Sequence, residues 1–140
     1  MSQEVMVAGC GPAGMMAAIA AAQAGAKVTV LEGMERPGKK LLLTGNGRCN
    51  LTNLTPGLPQ AYQSVGEGAG ITAARVLEQF SVSDTLNFFH SLGLFTCDRA
   101  GYVYPRTGQA DSVLELLLAR MRQLKIKLKY SEKICFIRRM

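Results

Sequence analysis

The run Val5-Met6-Val7-Ala8-Gly9-Cys10-Gly11-Pro12-Ala13-Gly14, followed by a second apolar run ending at Glu32, constrains this chain more than any other feature. It reads as a strand, a glycine turn, a helix and a second strand that delivers a carboxylate. Gly9 permits the sharp turn, Gly11 lets the backbone approach a pyrophosphate, and Gly14 lets helix and strand pack closely. Val5, Met6 and Val7 suit a strand buried on both faces, and Pro12 sits in the first helical turn, where its missing N–H is no loss. The spacing predicts a helix from Pro12 to about Ala24 that stops at Gly25, then a strand through Val28, Val30 and Leu31. The helix N-terminus presents free N–H groups and a partial positive charge, which suits a phosphate pair. Glu32 is placed to accept hydrogen bonds from ribose hydroxyls, so the pattern points to a dinucleotide.

The stretch from Arg36 to Asn53 is too rich in glycine, asparagine and cations for a routine connector. It reads as a second ligand loop. Gly45 and Gly47 can take positive φ and expose N–H groups, Lys39, Lys40 and Arg48 supply charge, and Asn46 and Asn50 supply amide donors. Such a loop after the second strand favours FAD over NAD. The plainer alternative is a solvated basic loop.

At these residues the chain resembles a known family. AGCGPAGMMAA followed by GKKLLLTGNGRCNLTN is similar to the amino-terminal signature of the BaiN/RdsA-type flavoproteins, also called YhiN-like NAD(P)/FAD-dependent oxidoreductases. The likeness continues through Phe80, Phe89 and Gly101-Tyr102-Val103-Tyr104-Pro105, but it covers only the first third of such proteins. The resemblance implies that Gly9, Gly11, Pro12, Ala13 and Gly14 hold the pyrophosphate of FAD and Glu32 the adenosine ribose. It implies that Lys40 and Leu41 meet the neighbouring phosphate and ribitol. Thr44, Gly45, Gly47, Arg48, Cys49 and Asn50 would line the flavin end, and the Lys133-Ile134 backbone would meet the adenine. Gly33 departs from the pattern, because such proteins often carry a basic or polar side chain there.

A chain of 140 residues, 48% hydrophobic, fits one domain with a real core, and no linker divides residues 1–140. Met1-Ser2-Gln3-Glu4 lacks the positive start of a secretory signal, and the apolar stretch to Ala22 is too short to span a bilayer, so a cytoplasmic location is expected. Cys10, Cys49, Cys97 and Cys135 are too widely spaced for a CxxC motif, and the single His90 cannot complete a usual zinc set, so no metal is expected. Four free thiols is the simplest account. The cations near Cys49 raise the alternative of a lowered pKa and a reactive thiolate, although the resemblance gives it a binding role.

From Arg120 onward eight Lys and Arg face one acid, Glu132, so the tail carries all of the net charge of +6. Nucleic-acid binding is the weaker account of it, because no aromatic interleaving accompanies the cations. Arg120, Arg122 and Lys125 complement a helix C-terminus, while Lys125, Lys127 and Lys129 alternate with Ile126, Leu128 and Tyr130 as the wet face of an edge strand.

The remaining pattern predicts helices over 71–80 and 83–92, and a hairpin over 94–104 turning near Asp98-Arg99-Ala100-Gly101. A helix through Leu124 should open on a capping box of Ser112 and Glu115, and a strand should begin over Ile134 to Ile137. Residues 57–70, with the run Gly66-Glu67-Gly68-Ala69-Gly70 among them, read as a mobile lid or a disordered loop. The fold expected is α/β, a Rossmann-like βαβ with a parallel sheet ordered 3-2-1, extended by inserted helices and a hairpin. The first strand would keep an unpaired edge, open to self-association. The function expected is the FAD-binding portion of an oxidoreductase that passes a hydride or electron pair between reduced nicotinamide, NAD(P)H, and a small organic substrate. A binding fragment without turnover, and an RNA-associated flavoprotein, are the alternatives. No general acid or base stands out; Tyr102, Tyr104 and Arg106 are candidates for a substrate pocket or simply hairpin packing.

Overall fold

The computed structural model describes residues 3–55, 69–136 and 138. Strand β1 (Glu4–Ala8) leads through the glycine turn into helix α1 (Pro12–Gln23), and Gly25, at φ 91°, turns the chain into β2 (Lys27–Leu31). A short helix α2 (Lys39–Leu43) and strand β3 (Thr52–Asn53) follow, then α3 (Ala69–Gln79), α4 (Val82–Ser91), β4 (Thr96–Arg99), β5 (Tyr102–Pro105), α5 (Ala110–Gln123) and β6 (Lys127–Lys129). β1 and β6 both pair in parallel with β2, which gives the order β1-β2-β6. This is the expected α/β fold with its parallel sheet. A second, antiparallel sheet is ordered β3-β5-β4.

Helices cover one face of the parallel sheet. Val28 and Val30 point to that face and are buried with Met15, Ala18 and Ile19 of α1 and Val113, Leu117 and Met121 of α5. Burying a side chain of this size stabilises the fold by about 1.5–3 kcal/mol, so the α1–sheet–α5 layer is the core. The opposite face carries Met6, which is 69% exposed, and the exposed Lys127 and Lys129. β1 is therefore not buried on both faces as its apolar run predicts: its burial alternates, because among the described residues helices pack on one side only.

Four local expectations change. The stretch from Arg36 to Asn53 contains α2 and β3 as well as turns. α4 begins at Val82, one residue ahead of the expected start, with Ser81 as its N-cap; Ser81 Oγ accepts from Asp84 N–H at 3.1 Å, while Asp84 Oδ2 accepts from Ser81 N–H at 2.8 Å. That is a true capping box. The one expected at Ser112 and Glu115 does not form. α5 begins at Ala110, whose N–H is taken by Gly47 O at 2.8 Å, and the Ser112 hydroxyl pairs with Thr107 Oγ1 at 2.7 Å instead. Residues 134–136 form no strand, and Ile137 lies outside the described residues.

Of the segment expected to be mobile, residues 57–68 lie outside the described residues, and 69 and 70 already belong to α3. The hairpin turns where expected. Ala100 and Gly101 both have positive φ, 52° and 86°, as a two-residue turn matched to strand twist requires. β6 is shorter than the alternation suggests, since Lys125 at φ 56° belongs to the turn after α5.

Candidate dinucleotide site

At the carboxyl ends of β1 and β2 the chain assembles the predicted turn. Gly9 has φ 88° and its N–H bonds Leu31 O at 2.8 Å, which ties the turn to β2. Gly14 must lack a side chain, because a Cβ there would run into the carbonyl oxygen of Gly9. Gly11 is different. Its backbone is extended, φ −83° and ψ 179°, and a Cβ built on it meets nothing within 4 Å. The open space lies at the N-cap of α1, where no side chain caps the helix and Pro12 and Ala13 are exposed. A pyrophosphate fits these features: free N–H groups, a helix dipole and room for close approach.

Glu32 reaches back to that turn. Its Oε2 accepts from Cys10 N–H at 2.6 Å and its Oε1 from Met34 N–H at 2.9 Å. Each carboxylate oxygen retains a lone pair for a ribose hydroxyl. The backbone around Glu32 is pinned by β6 and its continuation, through Glu32 N–H to Lys129 O at 2.8 Å and Glu132 N–H to Glu32 O at 2.9 Å. The same continuation brings Lys133 against Gly33, with a Cβ at residue 33 coming 3.8 Å from Lys133 Cα. Ile134 lines an open hollow of about 450 Å³ with Met6, Ala8 and Leu31, at the ends of β1 and β2.

The second loop is joined directly to the first. Gly38, at φ 71°, donates its N–H to Cys10 O at 3.0 Å. A Cβ there would lie 2.6 Å from Leu114 Cδ1, so this glycine, unremarked in the sequence, is needed for α2 to pack on α5. Lys39 and Lys40 are exposed on α2, whereas Leu41 is buried and lines the floor of a hollow beside the loop. Thr44 closes α2 by donating to Leu41 O at 2.7 Å, and its own carbonyl accepts from Gly47 and Cys49 N–H groups. Gly45, Asn46, Gly47 and Cys49 all take positive φ, between 53° and 79°. Pro12, Thr44, Cys49 and Asn50 share the lining of a hollow of about 260 Å³ with Phe80, in the link between α3 and α4, and Thr85 and Phe88 of α4. Those last three were not visible as site residues in the sequence, since Thr85 and Phe88 mark only an amphipathic helix and Phe80 only its approach.

Cys49 is not a reactive thiol. It is 6% exposed, and burial pushes its pKa up, with only a hydrogen bond to Thr44 opposing. Cys10 is fully buried and is pushed up to about 11, first by burial and then by the charge of Glu32. Its ordinary value is 9.0, so the protonated thiol contributes stability that is fully present below pH 9 and lost as pH rises toward 11. The loss amounts to about 2–3 kcal/mol at most. We expect Cys10→Ala to flatten the alkaline limb of urea stability between those pH values; an unchanged limb would assign it to other groups. Among the described residues no group of three His, Cys, Asp or Glu is placed to hold a metal. No described helix is long and apolar enough to cross a membrane.

Comparison with known proteins agrees with this fold. The HI0933-like protein Rossmann domain matches residues 3–140. The chain belongs to that family. It is 51% identical over 124 residues to the 3-dehydro-bile acid delta(4,6)-reductase of Clostridium scindens, covering 87% of this chain and 29% of that protein. It is 35% identical over 101 residues to the ribosomal RNA dihydrouridine synthase of Escherichia coli, covering 68% of this chain and 25% of the relative. The chain thus spans less than a third of the length of the relatives it matches. Among solved structures, the 3-ketosteroid-delta4-(5alpha)-dehydrogenase of Rhodococcus jostii superposes with a TM-score of 0.60 at 20% identity, covering 92% of this chain and 38% of that one. At that identity the likeness speaks for the Rossmann-type fold alone.

Proposed function

We propose that this chain is the FAD-binding portion of a flavin-dependent oxidoreductase. The observation that carries the reading is the Glu32 carboxylate hydrogen-bonded to the Gly9–Gly14 turn, beside the open space at Gly11. The turn and α1 would hold the pyrophosphate, Glu32 the ribose, and the Lys133-Ile134 segment the adenine edge. Lys40, the Leu41 backbone, Thr44, Gly45, Gly47, Arg48, Cys49 and Asn50 would serve the far half of the cofactor. A flavin in that place supplies two-electron transfer, and the chain's part is to orient it and set its electrostatic surroundings.

The whole protein would pass a hydride or electron pair between NAD(P)H and a small organic substrate in the cytoplasm. The 140 residues alone would bind without turnover, as no acid or base among the described residues is placed for a proton transfer. The edge of β1, unpaired among the described residues, adds a second copy of the chain as a partner. An RNA substrate stands second. The activity for which the Escherichia coli relative is named and the lysines of β6 favour it, yet an edge strand's wet face already accounts for those lysines.

The deciding experiment is an absorption spectrum of the purified chain after incubation with FAD and gel filtration, read for flavin bands at about 370 and 450 nm. Glu32→Ala is expected to weaken FAD binding by about 1–3 kcal/mol, because the ribose contact is lost. Undiminished binding in that variant, or no binding by the parent chain, would overturn the assignment.

A further inference from the structure

Tyr104 lies on β5, opposite Cys97, outside both glycine loops. Its ring nevertheless touches two members of the second loop. A Cβ on Gly45 would sit 3.2 Å from Tyr104 Cε1, so ring and turn meet closely only because residue 45 has no side chain. The Arg48 guanidinium lies over the same ring, its carbon 5.6 Å from the centroid, while Arg48 Nε donates to Gly45 O at 3.3 Å. We propose that Tyr104 is a positioning residue whose ring face holds Arg48 and the 44–50 turn in the shape that receives the anionic cofactor.

The choice of an aromatic partner has a chemical consequence. A ring face attracts the guanidinium through its quadrupole without neutralising it. A carboxylate in its place would cancel the charge; among the described residues the ion pair is Lys27–Glu4, and none involves Arg48. With Nε engaged by Gly45 O, the two terminal nitrogens keep their donors for an incoming anion. The turn also needs an outside buttress, because four of its residues hold positive φ. β5 supplies it from the backbone as well, Val103 O accepting from Leu51 N–H at 2.8 Å.

The role rests on the FAD reading, and two measurements separate them. In the chain without cofactor, the Arg48 Nε–Hε resonance should be shifted upfield by the ring in the parent and in Tyr104→Phe, and return to the ordinary position in Tyr104→Leu. In FAD titrations, Tyr104→Leu should raise Kd about three- to tenfold while Tyr104→Phe stays at the parent value. The double variant with Arg48→Ala should bind no more weakly than Arg48→Ala alone, since the ring acts through the arginine. Should Tyr104→Leu fail to fold, Tyr104→Thr keeps the strand preference and takes its place. An unshifted Arg48 resonance in the parent, or a Phe variant as damaged as the Leu variant, would overturn the role. A parent chain with the shifted resonance but no affinity for FAD would sink the cofactor reading and leave the buttress standing.

Discussion

Gly14→Ala is expected to destabilise the chain by about 3 kcal/mol, whereas Gly11→Val is expected to cost the fold no more than about 1 kcal/mol and to abolish FAD binding. The two glycines belong to one turn and differ in what surrounds them. At Gly14 a Cβ meets the Gly9 carbonyl, with Gly9 C at 3.1 Å and Val7 Cγ1 at 3.5 Å behind it. That carbonyl cannot retreat without disturbing the Gly9 N–H bond to Leu31 O, which fastens the turn to the sheet. At Gly11 the backbone is extended, a conformation any residue adopts, and the Cβ position is open. Valine there costs the fold little, about 1 kcal/mol at most as a weaker N-cap than glycine, and occupies the space a pyrophosphate needs. Urea denaturation reads the first effect and FAD titration the second. A Gly11→Val chain that binds FAD within twofold of the parent would move the phosphates elsewhere; a Gly14→Ala chain as stable as the parent would remove the packing role.

This contrast explains what the sequence could and could not disclose. The βαβ unit was legible because each of its signals is local: a strand, a turn glycine, Pro12 at N1, Gly25 past the helix, and an acid at a strand end. The capping boxes show where locality fails. Ser112-x-x-Glu115 has the right letters, but Gly47 O occupies the N–H of Ala110 and draws the helix start forward. Ser81-x-x-Asp84, with the shorter acid, is the pair that closes. The choice between them is tertiary.

The site shows the same division. Glu32 and the turn glycines could be assigned by spacing, whereas Gly38 and Tyr104 could not. Gly38 is needed because Leu114, 76 positions later in the chain by subtraction of their numbers, packs where its side chain would be. Tyr104 matters because β5 lies beside β3 and so beside the second loop. The cations near Cys49 suggested an activated thiol, and burial decided otherwise. Sequence proximity of charge says little about a thiol that the fold has removed from water.

The isolated chain is expected to self-associate through β1. Gln3 O accepts from Lys27 N–H and Gly9 N–H donates to Leu31 O, so in this parallel pair the odd-numbered residues of β1 face β2. By alternation the N–H and C=O groups of Glu4, Met6 and Ala8 face away, and among the described residues no strand meets them. Met6 adds an exposed apolar side chain, and the exposed Phe136 lines the adjoining hollow with it. An unpaired edge of this kind, whose one charge, Glu4, is already engaged by Lys27, pairs readily with a second copy. Sedimentation over a concentration series should show dimers or larger species in the micromolar range, and Met6→Lys should shift them to monomer without loss of stability, since the side chain is already largely in water. A parent chain that stays monomeric across the range would mean that the edge is covered by its own residues, and the Met6→Lys variant would then sediment as the parent does.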